Sequence, residues 1–279
     1  MPSEETGPGG ESLMNSGILR ILFVSDIVGA AGLDMLRSQI GFLREKYPYD
    51  LFIANGENAA EGKGLSSKMA EDLFAMGVDV ITSGNHIWNR DNIFKLMERE
   101  FPVLRPLNYP EGCPGKGSCI ARCGDGTEVG VINLQGRSFM YPIDCPFACL
   151  ERELQSMKAR GVRSVLVDFH AEATAEKKAF GFFADGRVSA VIGTHTHVQT
   201  ADEQVLPNGT AYITDAGMTG PQHSVIGLDV DTAIERFRTQ IPVHYKIAHG
   251  NCQLDGVAIG IRTETGKTDF IKRIHIEQR

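Results

Sequence analysis

The run Ile18-Leu19-Arg20-Ile21-Leu22-Phe23-Val24-Ser25-Asp26 is short, nearly all apolar, and ends abruptly on a polar pair. That is the pattern of a strand buried on both faces, with its chemistry held at the carboxyl end. The same shape returns along the chain. Leu51-Phe52-Ile53-Ala54 runs into Asn55-Gly56-Glu57-Asn58, and Val78 to Thr82 runs into Ser83-Gly84-Asn85-His86. Ser164 onward leads to Asp168-Phe169-His170, and Ala190 onward leads to Thr194-His195-Thr196-His197. Helical spacing fills the intervals. Leu33, Leu36, Ile40 and Leu43 share a face. Ser66 or Ser67 opens a helix with Met69, Leu73 and Met76 inward. Ile93, Leu96 and Met97 mark a third helix, Leu150, Leu154 and Met157 a fourth, and Ala175 to Phe183 a fifth.

This β-α-β rhythm predicts an α/β chain, but part of it is antiparallel. Strands near Cys119 and at Val129 to Leu134 meet through Gly124-Asp125-Gly126, and Pro207-Asn208-Gly209 turns into a strand at Ala211 to Thr214. Val257, Ile259 and Ile261 alternate, as do Ile274 and Ile276, on either side of Thr265-Gly266-Lys267. Two sheets serve this mixture better than one. Residues 1–17, acidic and bearing Gly, Ser and Pro, read as a disordered leader, and 18–279 as a single domain without a linker.

Composition narrows the function. Hydrophobic residues are 42% of the 279, enough for a full core, and the net charge is -7. An acidic chain lacks the electrostatic footprint of a nucleic-acid binder, whereas a small anion held through metal ions is compatible with it. No apolar run approaches the ~20 residues of a membrane span. The six cysteines lack any C-x-x-C pair and read as free, reduced thiols, so the expected location is the cytoplasm.

The strand ends carry the chemistry. Asp26, Glu57, Asn58, Asn85, His170, His195 and His197 offer carboxylate, amide oxygen and imidazole but no thiolate. That set suits manganese or iron rather than structural zinc. Seven donors exceed one ion's needs and match two. Two cations about 3.5–4 Å apart need an anionic bridge, and Glu57 is the candidate. An extended His-x-His would place His195 and His197 on one face as a metal clip. Each motif alone has a plainer reading, as a turn, a cap or a hydrogen-bonded core histidine. Those plainer readings must hold at all five strand ends together, and that coincidence favours the metal site.

At these residues the chain resembles the calcineurin-like metallophosphoesterases, and specifically their YmdB-like branch of bacterial phosphodiesterases. The resemblance rests on residues 22–29, 55–60, 83–86, 133–137, 167–172, 193–197 and 214–220. The wider superfamily opens with Asp-x-His, where this chain has Val28, and its Gly-Asp is here Gly56-Glu57. The resemblance implies two mixed sheets between helices, and one metal site from Asp26, Glu57, Asn58 and His197. It implies a second site from Glu57, Asn85, His170 and His195, with His86 as proton donor. The implied activity is hydrolysis of cyclic mononucleotides, 2′,3′- or 3′,5′-, by a hydroxide shared between two iron or manganese ions. Two positions differ from relatives: Asn89 and His223 stand where acidic residues are common.

Asp168, Glu172 and Asp215 are candidates to support the ligands, Arg137 to meet a phosphate oxygen, and Trp88 either to stack on a base or to fill the core. Competing functions are a metal- or nucleotide-binding regulator with weak or no turnover, an RNA-directed nuclease, and a protein phosphatase. The expected partner is a small phosphodiester, without a membrane or stable nucleic-acid contact, and a homo-oligomer is left open.

Overall fold

The computed structural model describes residues 17–90, 92–99, 101–244 and 246–278. Apart from Gly17, the expected leader lies outside them. In chain order the elements are β1 (Ile18–Val24), α1 (Gly29–Lys46), β2 (Leu51–Asn55), α2 (Ser67–Ala75) and β3 (Val80–Thr82). A 3₁₀ turn at Ile87–Asn89 precedes α3 (Ile93–Met97), β4 (Ser118–Arg122), β5 (Glu128–Gln135) and α4 (Pro146–Ala159). Then come β6 (Ser164–His170), α5 (Thr174–Ala184), β7 (Ala190–Thr194), β8 (Gln204–Val205) and β9 (Ala211–Ile213). β10 (Gly220–Pro221), α6 (Val230–Thr239), β11 (Cys252–Arg262) and β12 (Thr268–Glu277) complete the chain.

Two six-stranded mixed sheets form. One runs β10-β11-β1-β2-β3, with β12 on β11; the other runs β4-β5-β6-β7-β9-β8. The period-two alternation of β1 decides how they stack. Leu19, Ile21 and Phe23 point into a core shared by both sheets, meeting Val131, Leu166, Ile192 and Ile213. Leu22 and Val24 point the other way, into a core with Leu33, Leu36 and Leu43 of α1. On the far side of the second sheet, Leu134, Val167 and Phe169 pack on Leu150, Met157 and Phe180 of α4 and α5. The result is a helix–sheet–sheet–helix sandwich, α/β as expected. Its central core is built from side chains worth about 1.5–3 kcal/mol each on burial.

β1, β2 and β3 are parallel to one another, as are β5, β6, β7 and β9. Their carboxyl ends therefore gather at one edge of each sheet. Buried polar contacts lock the two edges together. Asp168 Oδ2 of β6 accepts from Asn55 Nδ2 at 2.9 Å and from Thr82 Oγ1 at 2.5 Å.

Details of the expectation shift. β3 begins at Val80 because the Val78 N–H closes α2 by donating to Leu73 O. Ser66 caps α2, and Ala70 and Leu73 are its buried residues, with Met69 and Met76 only packed against the rim. α6 is not among the expected helices, although Val230, Ala233, Ile234 and Phe237 fall at helical spacing; Ala233 is its one buried residue, while Ile234 and Phe237 are exposed. Its start is fixed by Asp229, whose side chain accepts from the Thr232 N–H. All six cysteines are free.

Candidate metal centre

All seven candidate ligands converge where the two sheet edges meet. The second sheet brings His170, and the His195 N–H reaches across to Asp26 Oδ2 at 3.1 Å. Glu57, His170 and His195 each offer a ligand atom, all within 4.8 Å of one another.

The hydrogen bonds around His170 show what this cluster needs. Thr194 Oγ1 donates its only proton to Asp168 Oδ1 at 2.7 Å, so at 2.9 Å from His170 Nδ1 it accepts. Nδ1 therefore carries the proton, and in the neutral ring Nε2 is a bare lone pair. That lone pair faces Glu57 Oε1 at 2.9 Å, Asn85 Oδ1 at 3.1 Å and His195 Nδ1 at 2.9 Å. Four acceptors converging on one point need a positive charge among them, which a proton on Nε2 gives the metal-free protein and a cation would replace.

A second group adjoins it. Asn58 Nδ2 lies 3.0 Å from His197 Nε2, 3.5 Å from Asp26 Oδ1 and 3.3 Å from Glu57 Oε1. His197 Nδ1 donates to Ile226 O at 2.9 Å, which frees Nε2 as an acceptor. A half-turn of the Asn58 amide would present its oxygen in place of its nitrogen. Glu57 belongs to both groups, which suits it to bridge. Oxygen and imidazole donors in two adjoining sets fit a pair of divalent or trivalent ions.

The backbone is bent to serve this geometry. Asp26, His195 and His197 adopt φ of 23°, 100° and 63°, conformations that cost non-glycine residues about 1–3 kcal/mol each. The extended His-x-His clip is thus corrected. β7 ends at Thr194, and the two histidines meet the cluster from a turn. At Gly84, a Cβ would collide with His170 Nε2 and Glu57 Oε2, so glycine is required for close approach.

Proton affinities follow the crowding. Burial alone would push Glu57 up, but the charge and hydrogen bond of His170 hold it well below the usual carboxylate range. Burial opposes charge on His170 too, yet Glu57 raises it to about 9. Burial and the His170 charge depress His195 to about 3. Asp26 is raised by burial, with His197 pulling the other way. His86 donates its backbone N–H to Glu57 Oε2 at 3.1 Å, and its Nδ1 meets Asn89 Oδ1 at 3.2 Å. Burial lowers its ring below the ordinary value, against the attraction of Glu57.

The family model for YmdB-like proteins matches residues 22–274, a span containing every one of these groups. The chain belongs to the YmdB-like family. It is thereby an enzyme of the phosphodiesterase kind on the metallophosphoesterase fold. It is 49% identical over 258 residues to a 2′,3′-cyclic-nucleotide 2′-phosphodiesterase of Bacillus subtilis (strain 168), covering 92% of this chain and 97% of that protein. A crystal structure of a hypothetical protein from Thermus thermophilus superposes with TM-score 0.88 at 42% identity, covering 94% of this chain and all of the other. A phosphatase structure from Mycoplasma pneumoniae gives 0.87 at 35% identity, covering 93% of this chain and 94% of the other.

Around this YmdB-like cluster, the expected supporting carboxylates are engaged. Glu172 Oε2 lies 3.1 Å from His195 Nε2, and Asp168 reaches His170 through Thr194. Asp215 Oδ2 accepts from the N–H and hydroxyl of Thr196, between the two histidines, at 3.0 and 2.8 Å. Trp88 packs edge-on to Tyr109 and against Phe94, which is the core-filling alternative. Arg137 is exposed, and its backbone N–H rather than its side chain is tied down, by Glu176. His223 is exposed.

The sequence reading missed Lys177. It is buried on α5 and donates to Thr194 O and Asp215 Oδ2, both at 2.7 Å. A Glu-Lys-Lys run on a helix gives no sign of which lysine turns inward.

Proposed function

We propose that this protein is a di-metal phosphodiesterase that opens nucleoside cyclic phosphates, with the 2′,3′-cyclic class as its main substrate and His86 as the proton donor. The observation that carries the reading is the His170 Nε2 lone pair, held by Thr194 and aimed at Glu57, Asn85 and His195. The relative in Bacillus subtilis supports the substrate class.

Asp26, Glu57, Asn58 and His197 would hold one ion, and Glu57, Asn85, His170 and His195 the other. Such ions, iron or manganese by donor type, supply Lewis acidity toward the phosphoryl oxygens and an acidified water as nucleophile. The chain's own residues do the rest. Glu57 and Asp26 bring two carboxylates into a buried site, and Thr194 and the Ile226 carbonyl hold His170 and His197 in the tautomers with Nε2 free. The oxygen of a water that has given one proton to solvent attacks phosphorus, and the bond from phosphorus to the ribose oxygen breaks. The departing oxygen takes a proton from His86 Nε2. Asn89 retains the proton at Nδ1, so Nε2 is the position that gives and regains one. A phosphate anion beside the ring favours its charged form.

The test is metal analysis of the purified protein, with turnover of 2′,3′- and 3′,5′-cyclic nucleotides and of a phosphomonoester. Two ions per chain and faster hydrolysis of the cyclic diester are expected. His86→Ala should keep both ions and lose about 10²–10⁴-fold on a cyclic nucleotide, but less on an aryl phosphodiester whose leaving group needs no proton. Metal-loaded protein that opens no cyclic nucleotide overturns the reading.

A further inference from the structure

Beside the cluster, a loop stands out from the second sheet. Its root is fixed twice. Glu176 accepts the backbone N–H groups of Arg137 and Ser138 at 2.9–3.1 Å, and Asn108 exchanges hydrogen bonds with Asp144 at 3.1 and 3.0 Å. Between these anchors the tip projects Phe139, which is 92% exposed, and Tyr141, which is 69% exposed. Phe139 stands at φ 62°, a left-handed conformation that a bulky aromatic residue adopts only under constraint. With Met140 and Pro142 these rings form one wall of a cleft of about 350 Å³. The facing wall is Asn85 and His195.

We infer that this cleft is the nucleobase subsite, with Phe139 and Tyr141 as the platform on which the base stacks. The inference rests on the phosphodiesterase reading and extends it. A strained backbone that holds a bare aromatic ring in water, on a loop clamped at both ends, is matched by a ligand with a flat apolar face. The cleft's position limits what that ligand is. Its far wall consists of two of the ligand residues assigned to the ions, so its occupant is joined to the phosphate by no more than a sugar's length. Among the described residues, no carboxylate or ammonium side chain lines it, so the base is gripped by its face rather than read at its edge. The expected substrate class is therefore nucleoside cyclic phosphates with any base, purines ahead of pyrimidines because they offer more ring to stack.

The experiment compares adenosine 2′,3′-cyclic phosphate with base-less ribose 2′,3′-cyclic phosphate, on metal-loaded full-length protein. The wild type should favour the nucleotide by about fivefold to a hundredfold, the worth of one stacked base. Phe139→Ala with Tyr141→Ala should bring the two substrates near parity, through KM for the nucleotide, with metal content and base-less turnover unchanged. Phe139→Trp should keep the preference. A wild type with no preference, or a double variant that keeps it, overturns the subsite. A double variant that keeps the preference but changes sedimentation also overturns it, assigning the tip to contact between copies of the chain. If the wild type opens neither ring, the phosphodiesterase reading falls first and takes the subsite with it.

Discussion

Two buried polar clusters lie on either side of the turn that carries His195, Thr196 and His197, and they are built on opposite rules. In the cluster behind the turn, every acceptor meets a donor. Asp215 takes the Lys177 ammonium and the Thr196 N–H and hydroxyl on one oxygen, and the Gly217 N–H on the other. In the cluster before it, acceptors meet acceptors: Glu57, Asn85, His170 and His195 turn lone pairs toward one another. The rear cluster is electrically complete as protein alone. The front cluster is complete only once a proton or a cation stands among its lone pairs, and the strained φ of His195 and His197 is sustained because the rear cluster grips Thr196 between them.

The largest expected effect breaks the front cluster. His170→Ala removes the donor with the most converging partners, so metal content measured by elemental analysis should fall by at least one ion per chain. Turnover of a cyclic nucleotide should drop on the order of 10⁴-fold, roughly 5.5 kcal/mol in the barrier. Full metal occupancy in that variant would remove His170 from the ligand set. Soaking the wild type with a chelator should abolish turnover equally and spare the fold's rear half.

Lys177→Met is the counterpart behind the turn. It strands a buried carboxylate, which costs about 3–5 kcal/mol, and urea unfolding should show the loss at saturating metal. Adding Asp215→Asn should recover part of it, because the uncompensated charge is then gone. If Lys177→Met were neutral, the rear cluster would not be the self-sufficient support described above.

How far each cluster could be read in the sequence follows from the same difference. The residues of the front cluster are legible because each follows a buried strand, and strand-end position is a property of local pattern. Asp26, Glu57, Asn85, His170 and His195 need only the apolar runs before them. The rear partners come together by tertiary placement. Lys177 and Lys178 differ by one step around α5, and only packing on β7 decides that the first is buried and the second exposed. The turn at His195 was equally hidden, since an extended His-x-His and a left-handed one have the same letters. α6 was legible, since Val230, Ala233, Ile234 and Phe237 fall at helical spacing, but the projecting tip at Phe139 reads in sequence as ordinary loop.

Thr194 joins the clusters, and its replacement sharpens where one ends and the other begins. The hydroxyl accepts from His170 and donates to Asp168, while its carbonyl accepts from Lys177. Thr194→Val removes only the first two. Metal affinity should weaken about 10- to 100-fold, the usual cost of losing a group that orients a metal-binding histidine. Stability of the metal-free protein should also fall, by about 1–3 kcal/mol, because the buried Asp168 Oδ1 loses its Thr194 donor and His170 Nδ1 its acceptor, while Thr82 and Asn55 still serve Asp168 Oδ2. A variant that loses stability but keeps its metal affinity would remove Thr194 from the front cluster.

The smallest effect tests the rear cluster by pH. Asp202 accepts from Thr200 Oγ1 at 2.6 Å, and from the Thr214 N–H and hydroxyl at 3.1 and 2.5 Å. Burial pushes its carboxyl up, but these hydrogen bonds outweigh it and hold the group below its ordinary value of 3.8. A carboxyl more acidic in the fold than in the open chain stabilises the fold wherever it is ionised in both. That contribution is full above about pH 4 and fades as pH falls through the folded value. Asp202→Asn should therefore cost about 1 kcal/mol at pH 7 and draw closer to wild type as pH falls below 3.8, measured by urea unfolding with chelator present so that metal loss is common to both. A gap that stays constant across that range would assign the cost to altered shape rather than to charge, and would leave the rear cluster's electrical balance to Lys177 and Asp215.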